Sequence, residues 1–320
     1  MPTKKIYKVA LIGASGFIAK NIIKILQQNN ISVLCIGRNK PTNIKSEDFF
    51  KYDLTDSSSN FNSAFEVETV IFNSALKGRF TETSYEWAIQ GQISAPNFEH
   101  LFKHLNLKTD RLITIGSSEE YGPQLSDTPI KENFELKPVS SYGFWKSFLY
   151  QQGLSWKQKK SSQFVHLRPF NVYGDGLDQK MFLGSIITTL LQNETFHMTK
   201  GEQFRSFVPV DVLVETILKF IELKNWNGYH NKNALNVSTA YYYQLSDVAR
   251  FVRKKIRKGR LKIGSVPYRT DEVWHQKPNL DVLDRLNLDS SKSSFEVGLQ
   301  RVINTYQARV QPQALQDALT

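Results

Sequence analysis

Tyr142 and Lys146 stand four residues apart in the run Tyr142-Gly143-Phe144-Trp145-Lys146, one helical turn, and so share a face of any helix they occupy. A phenol ordinarily ionises near pH ~10, too high for proton exchange at neutrality. An ammonium one turn away favours the phenolate, which lets Tyr142 act as a general acid or base with Lys146 tuning it. A hydroxyl that could share the reacting oxygen lies upstream, at Ser117 in Gly116-Ser117-Ser118-Glu119-Glu120-Tyr121-Gly122. Each feature also has a structural reading. Tyr and Lys recur at this spacing on ordinary helices, and a serine after a strand commonly caps the next turn.

A second group of residues suits a phosphate. Gly13-Ala14-Ser15-Gly16-Phe17-Ile18-Ala19 follows an apolar run and precedes a helical pattern that opens at about Lys20. Gly13 permits a tight turn, and Gly16 lets bare backbone approach a pyrophosphate at the positive end of the helix. Ala19 stands where a third glycine is usual. Taken alone, the pattern is also that of a simple turn. The next apolar run ends at Ile36 and leads into Gly37-Arg38 rather than an acidic residue. A carboxylate there would accept from a ribose 2′-hydroxyl, whereas a guanidinium forks onto a 2′-phosphate, so NADP(H) is favoured over NAD(H). An exposed loop cation is the plainer reading of Arg38. Asp53, after Phe49-Phe50, suits the adenine amino group or a helix cap.

These residues need a scaffold, and the pattern of the chain supplies one. Apolar runs Lys8–Ile12, Ser32–Ile36, Thr69–Asn73, Arg111–Ile115 and Phe164–Leu167 alternate with helical patterns. They are too continuous to leave one face wet, which predicts an α/β doubly wound parallel sheet of Rossmann type. Past about residue 175 the rhythm changes to longer helical patterns, Phe182–Gln192, Val210–Leu223 and Leu245–Lys258, separated by short extended pieces. This predicts a dinucleotide-binding domain over 1–175, joined by parts of 207–240, and a smaller mixed lobe over 176–320 closing over the strand ends.

Composition narrows the function classes. With 320 residues, 40% hydrophobic and 22% charged, the chain has the make-up of a folded globular enzyme. Cys35 is its only cysteine, so neither a disulfide framework nor a multi-thiolate metal site is expected, and a reducing, cytoplasmic compartment fits. The start, Lys4-Lys5 followed by Val9–Ile12, faintly resembles a signal peptide but breaks at Gly13, as a first strand would. No run is long enough to span a membrane. The net charge of +11 favours anionic partners. Seven basic side chains crowd Arg253–Lys262, and cations closing a helix at Gly259 account for them better than a nucleic-acid surface.

The glycine turn, a Ser-x-x-x-Tyr-Gly segment and Tyr-x-x-x-Lys, in this order, resemble the extended short-chain dehydrogenases, the NAD-dependent epimerase/dehydratase family. Leu167-Arg168-Pro169-Phe170-Asn171-Val172-Tyr173-Gly174, Gln203–Asp211 and Asn236-Val237-Ser238 extend the likeness over about residues 8–305. The resemblance implies Tyr142 as acid/base, Lys146 as its tuner and a ligand of the nicotinamide ribose, and Ser117 as the partner hydroxyl. It implies a dinucleotide held by Gly13, Ser15, Gly16, Phe17, Ile18, Arg38, Asp53, Leu54 and Ala75. It implies a nucleotide-diphosphate sugar held by Ser118, Glu119, Asn171, Arg205 and Arg269, with no nucleic-acid or membrane partner. Gly91 departs from the pattern, occupying a position where Asn is usual. A homodimer seam is a further expectation, for which Phe144, Trp145, Phe148 and Leu149 are apolar enough, though core packing explains them equally well.

Members that eliminate water usually carry Thr-Asp-Glu where this chain has Ser117-Ser118-Glu119, so elimination is disfavoured. The segment instead resembles that of reductases acting on GDP-4-keto-6-deoxymannose. The expectation is therefore NADPH-dependent reduction of a nucleotide-activated 4-keto-6-deoxy sugar. The alternatives are an NAD-dependent C4 epimerase and, in another class, a non-catalytic dinucleotide-binding sensor or assembly protein.

Overall fold

The computed structural model describes residues 6–54, 65–74, 96–158, 162–270, 272–288 and 294–317. Ala75 and Gly91 lie outside these described residues. The strands of the first part are β1 (Ile6–Ile12), β2 (Val33–Gly37), β3 (Phe49–Lys51), β4 (Phe65–Phe72), β5 (Leu107–Lys108), β6 (Arg111–Ile115) and β7 (Gln163–Pro169). They are joined by helices α1 (Phe17–Gln28), α2 (Phe98–His104) and α3 (Ser141–Gln158). The second part adds β8 (Val172–Tyr173), β9 (Thr195–Met198), β10 (Phe204–Ser206), β11 (Val208–Pro209), β12 (Ala234–Val237), β13 (Tyr242–Gln244), β14 (Arg260–Ile263) and β15 (His275–Gln276). Its helices are α4 (Phe182–Leu191), α5 (Val210–Glu222), α6 (Leu245–Ile256) and α7 (Phe295–Asp317).

Among the described residues, the central sheet has eight strands in the order β12-β7-β6-β4-β1-β2-β3, with β5 also on β4. Its pairings are all parallel. Alternate residues feed two cores. Val9 and Leu11 of β1 join Ala19, Ile22, Ile23 and Leu26 of α1 and the apolar stripe of α5, while Ala10 and Ile12 join α2 and α3 on the opposite face. The buried α1 positions follow a helical spacing, and each isoleucine or leucine among them gains roughly 1.5–3 kcal/mol from burial. Both faces are covered, as the doubly wound reading requires. β12 returns to the sheet edge beside β7, and a third core gathers α4, α6 and α7 beside small mixed sheets.

Two boundaries differ from the sequence reading. α1 begins at Phe17 rather than near Lys20, because Gly16, at φ 132°, already ends the turn and accepts the Lys20 N–H. α6 stops at Ile256, where Arg257 turns left-handed at φ 59°, so the basic run is divided. Arg253, Lys254 and Lys255 occupy the last helical turn, whereas Arg260 and Lys262 lie on β14. Gly259 serves a different end: a Cβ there would sit 2.5 Å from the Glu194 carbonyl oxygen.

Candidate active site

The C-terminal ends of the central strands converge on the glycine turn. Gly13 donates its N–H to the Ile36 carbonyl at the end of β2, and the Asn73 side chain, just past β4, donates to the Gly13 carbonyl. Gly13 adopts φ 82°, and a Cβ on it would lie 2.6 Å from the Ser74 nitrogen, so only glycine fits. At Gly16 a Cβ would meet nothing within 4 Å. The backbone there is exposed, and α1 starts with no side-chain cap and no acidic residue in its first turn. The first N–H groups of this helix thus form an anion cradle, which fits a dinucleotide pyrophosphate. Ser15 is exposed beside them, Phe17 and Ile18 are half-buried against the core, Arg38 is exposed immediately after β2, and Asp53 and Leu54 are half-buried after β3.

The end of β6 holds the other group. Past Ile115 and Gly116 the chain makes a short 3-10 turn, Ser118–Tyr121, and α3 packs on it. Ser117 caps this turn, its Oγ accepting the Glu119 N–H at 3.2 Å, which leaves its hydroxyl hydrogen to be donated. Lys146 donates to the Ile115 carbonyl at 2.5 Å, with its Nζ 5.5 Å from the centre of the Tyr142 ring. Burial pulls this ammonium down to about 8, against the upward pull of the Glu120 carboxylate. Tyr142 is half-buried at the start of α3. Ser118 is buried, and half-buried Glu119 accepts from Ser140 Oγ at 2.6 Å. Tyr142, Lys146, Ser117 and Glu119 are therefore brought together at one strand end.

Asn171, at φ 37°, donates to the Ser206 carbonyl at 2.9 Å and to Gln276 at 3.2 Å, which ties it to the strand bearing Arg205. Arg205 is mostly buried and ion-paired with Glu272 at 3.2 Å. Burial lowers its guanidinium from the ordinary value, offset by Glu272 and more weakly by Tyr242 and Glu119. Arg269 is exposed on the loop before Glu272. Trp145 and Leu149 are buried in the chain's own core, leaving only half-buried Phe144 and Phe148 of the four seam candidates.

A buried polar cluster behind Ser117 was not read from the sequence. Glu120 Oε1 accepts from the Ser117 N–H and from His166 Nε2, at 2.8 and 2.9 Å, and Oε2 accepts from Arg168 Nε at 2.8 Å. His166 Nε2 faces the acceptor-only Glu120 carboxylate and so carries the ring proton, which leaves Nδ1 to accept from the Thr114 hydroxyl at 2.6 Å. The Arg168 guanidinium lies over Tyr121 and Tyr150, 4.9 and 4.7 Å from their ring centres. Two polar residues two apart in the buried stretch of β7, His166 and Arg168, share one face of the strand and were the available signal.

The cluster should make the protein acid-sensitive. Burial pushes the Glu120 carboxyl up, but His166, Arg168 and the Ser117 N–H outweigh it and hold the group down to about 2. Burial also lowers His166, against the pull of Glu120. In both cases the unfolded chain binds protons that the folded one refuses, so stability falls as pH drops below each ordinary value. Glu132, pushed up by burial, opposes this only in part. Urea midpoints should decline from neutral pH through about 6.5 and more steeply below about 4.5. A midpoint constant from neutrality down to the carboxylate range would refute it.

With this geometry established, a family model described as "NAD dependent epimerase/dehydratase family" matches residues 9–237. The chain belongs to that family. Among curated relatives, CDP-abequose synthase of Yersinia pseudotuberculosis is 25% identical over 269 residues, covering 83% of this chain and 90% of its own. Among solved structures, the UDP-N-acetylglucosamine 4-epimerase of Methanobrevibacter ruminantium M1 in complex with UDP-N-acetylmuramic acid superposes with a TM-score of 0.75 at 18% identity, covering 95% of this chain and 99% of that one. MoeE5 in complex with UDP-glucuronic acid and NAD gives the same TM-score at 21% identity, with 94% and 99% coverage. The epimerase/dehydratase fold thus runs through nearly the whole chain. The family match spans both the glycine turn and the Tyr142–Lys146 helix. Among the described residues, no helix is long and apolar enough to cross a membrane.

Proposed function

We propose that this family member is an NADPH-dependent reductase of a nucleotide-activated 4-keto-6-deoxy sugar. The reading is carried by the convergence of Tyr142, Lys146 and Ser117 at the end of β6, beside a turn that holds Ser117-Ser118-Glu119 and no aspartate for eliminating water. The relative named CDP-abequose synthase supports a nucleotide-linked sugar as the substrate class.

When bound, the dinucleotide supplies the hydride that reduces the C4 ketone. Tyr142 passes its phenolic proton to the ketone oxygen as negative charge gathers there. Ser117 donates its hydroxyl hydrogen to the same oxygen, a bond that strengthens as the charge grows. Lys146, held at the strand end by the Ile115 carbonyl, keeps a positive charge beside the phenol and compensates the proton's departure. Arg205 exchanges Glu272 for the substrate diphosphate, for which its fork of donors is suited, with Asn171 beside it. Arg38 would hold the 2′-phosphate, and Phe144 with Phe148 would serve a homodimer.

Incubating the protein with NADPH and a 4-keto sugar nucleotide tests the reading. Stoichiometric loss of NADPH absorbance supports reduction. A changed sugar with no net loss supports the C4 epimerase, the reading favoured by the epimerase among the similar structures. Arg38→Ala should weaken NADPH binding by roughly 10- to 100-fold, the worth of a charge-assisted hydrogen bond, while NADH affinity stays within about threefold. Equal losses for both dinucleotides would remove the NADP preference.

A further inference from the structure

The buried cluster behind Ser117 includes none of the residues assigned to a ligand, yet it contacts the machinery at two points. Glu120 accepts the Ser117 N–H through the oxygen that His166 also reaches, so its placement determines how the Ser117 backbone leaves β6. It is also the carboxylate that acts on the fully buried Lys146. Lys146 is faced by Tyr142 from its own helix, by Glu120 from the turn and by His166 from β7, with Arg168 behind Glu120. Burial keeps His166 neutral at working pH, so Glu120 is the negative charge among these groups. A buried ion cluster is weak support for stability, because apolar residues of like volume often do as well. Its location points to another use.

We propose that Glu120 is a positioning residue of the reaction. Its carboxylate, oriented by His166 and Arg168, fixes the backbone of Ser117 and sets a buried negative charge at the strand end to which Lys146 is bound. This rests on the reductase reading only for the identity of the ketone. Without Glu120, the burial of Lys146 is offset by no neighbouring carboxylate, only by its bond to the Ile115 carbonyl and the rings of Tyr142 and Trp145, so it sheds its proton at lower pH and leaves the phenol without its cation. His166 and Arg168 act one step further out: Arg168, lying over Tyr121 and Tyr150, pins one carboxylate oxygen, and His166, held at its other ring nitrogen by Thr114, pins the other.

Two substitutions separate charge from placement. Glu120→Gln removes the charge, and Glu120→Asp keeps it but withdraws it by one methylene from the Ser117 N–H. For each variant and the wild type, affinity for NADPH or NADH, whichever binds more tightly, is measured by fluorescence from about pH 6 to 10, alongside turnover and thermal melting. Affinity should weaken as Lys146 deprotonates, with a midpoint about one pH unit or more lower in Glu120→Gln than in wild type. In Glu120→Asp the midpoint should stay in place, while kcat falls roughly tenfold with KM for the sugar nucleotide nearly unchanged. An unshifted midpoint in Glu120→Gln, or wild-type kcat in Glu120→Asp, overturns the proposal. Should Glu120→Gln not fold, the kcat-against-KM split in Glu120→Asp decides. A protein that binds the dinucleotide but reduces no 4-keto sugar refutes the reductase reading, and the binding midpoints still judge Glu120.

Discussion

Tyr142→Phe is expected to lower turnover of a 4-keto sugar nucleotide by about 10²- to 10⁴-fold, the range by which a positioned acid or base accelerates proton transfer. The substitution removes one oxygen and leaves the ring in place, with its centre 5.5 Å from the Lys146 ammonium. Lys146 keeps its bond to the Ile115 carbonyl and α3 keeps its seat on the turn after β6. Dinucleotide affinity and melting temperature should therefore change little. Absorbance at 340 nm, with dinucleotide titration on the same samples, separates the two effects. Turnover within about threefold of wild type would show that another group delivers the proton. If the wild type turns over no sugar at all, and the variant keeps its biological activity, the non-catalytic sensor becomes the better reading.

Gly116→Ala should have the largest effect on stability. A Cβ at Gly116 would lie 2.2 Å from His166 Nε2 and 2.4 Å from Glu120 Oε1, inside the hydrogen bond that joins them. Overpacking a well-filled interior costs about 1–3 kcal/mol on its own. Here the atoms displaced belong to a buried ion pair, and separating such partners costs about 3–5 kcal/mol because Arg168 would be left with its charge uncompensated. Loss of about 3 kcal/mol or more should lower the melting temperature by roughly 6–12 °C or prevent folding. Melting within about 2 °C of wild type would mean that the cluster repacks freely around a methyl group. Turnover of whatever folds should also fall, since the displaced carboxylate holds Ser117.

Much of the scaffold was legible from pattern because parallel strands buried on both faces must be apolar along their length. β1, β2, β4, β6 and β7 fall on the expected runs for that reason, each within a few residues. The glycine turn was legible because a positive φ and a close backbone approach at Gly13 leave only one residue type possible. Other boundaries were not. Gly259 has the identity of a helix terminator, yet α6 ends earlier because Arg257 takes the left-handed position itself, a local choice that composition does not reveal. Trp145 and Leu149 could have faced a partner or the core, and only the packing of α3 on the sheet assigns them to the interior.

By itself the sequence determined which chemistry was available: a phenol one helical turn from an ammonium, a serine in the turn after a strand, and a glycine turn able to seat a phosphate. These are local facts, set by spacing along one element and by the conformational limits of single residues. Tertiary structure alone decided that Lys146 reaches the end of β6, next to the turn that holds Ser117, because the packing of α3 carries it onto the Ile115 carbonyl about 30 positions away. It also decided that Glu120, His166 and Arg168 are one ionic cluster, with 46 to 48 positions between the carboxylate and its partners. Burial turns such an encounter into a constraint, since a charge removed from water must find its complement in whatever the fold places beside it.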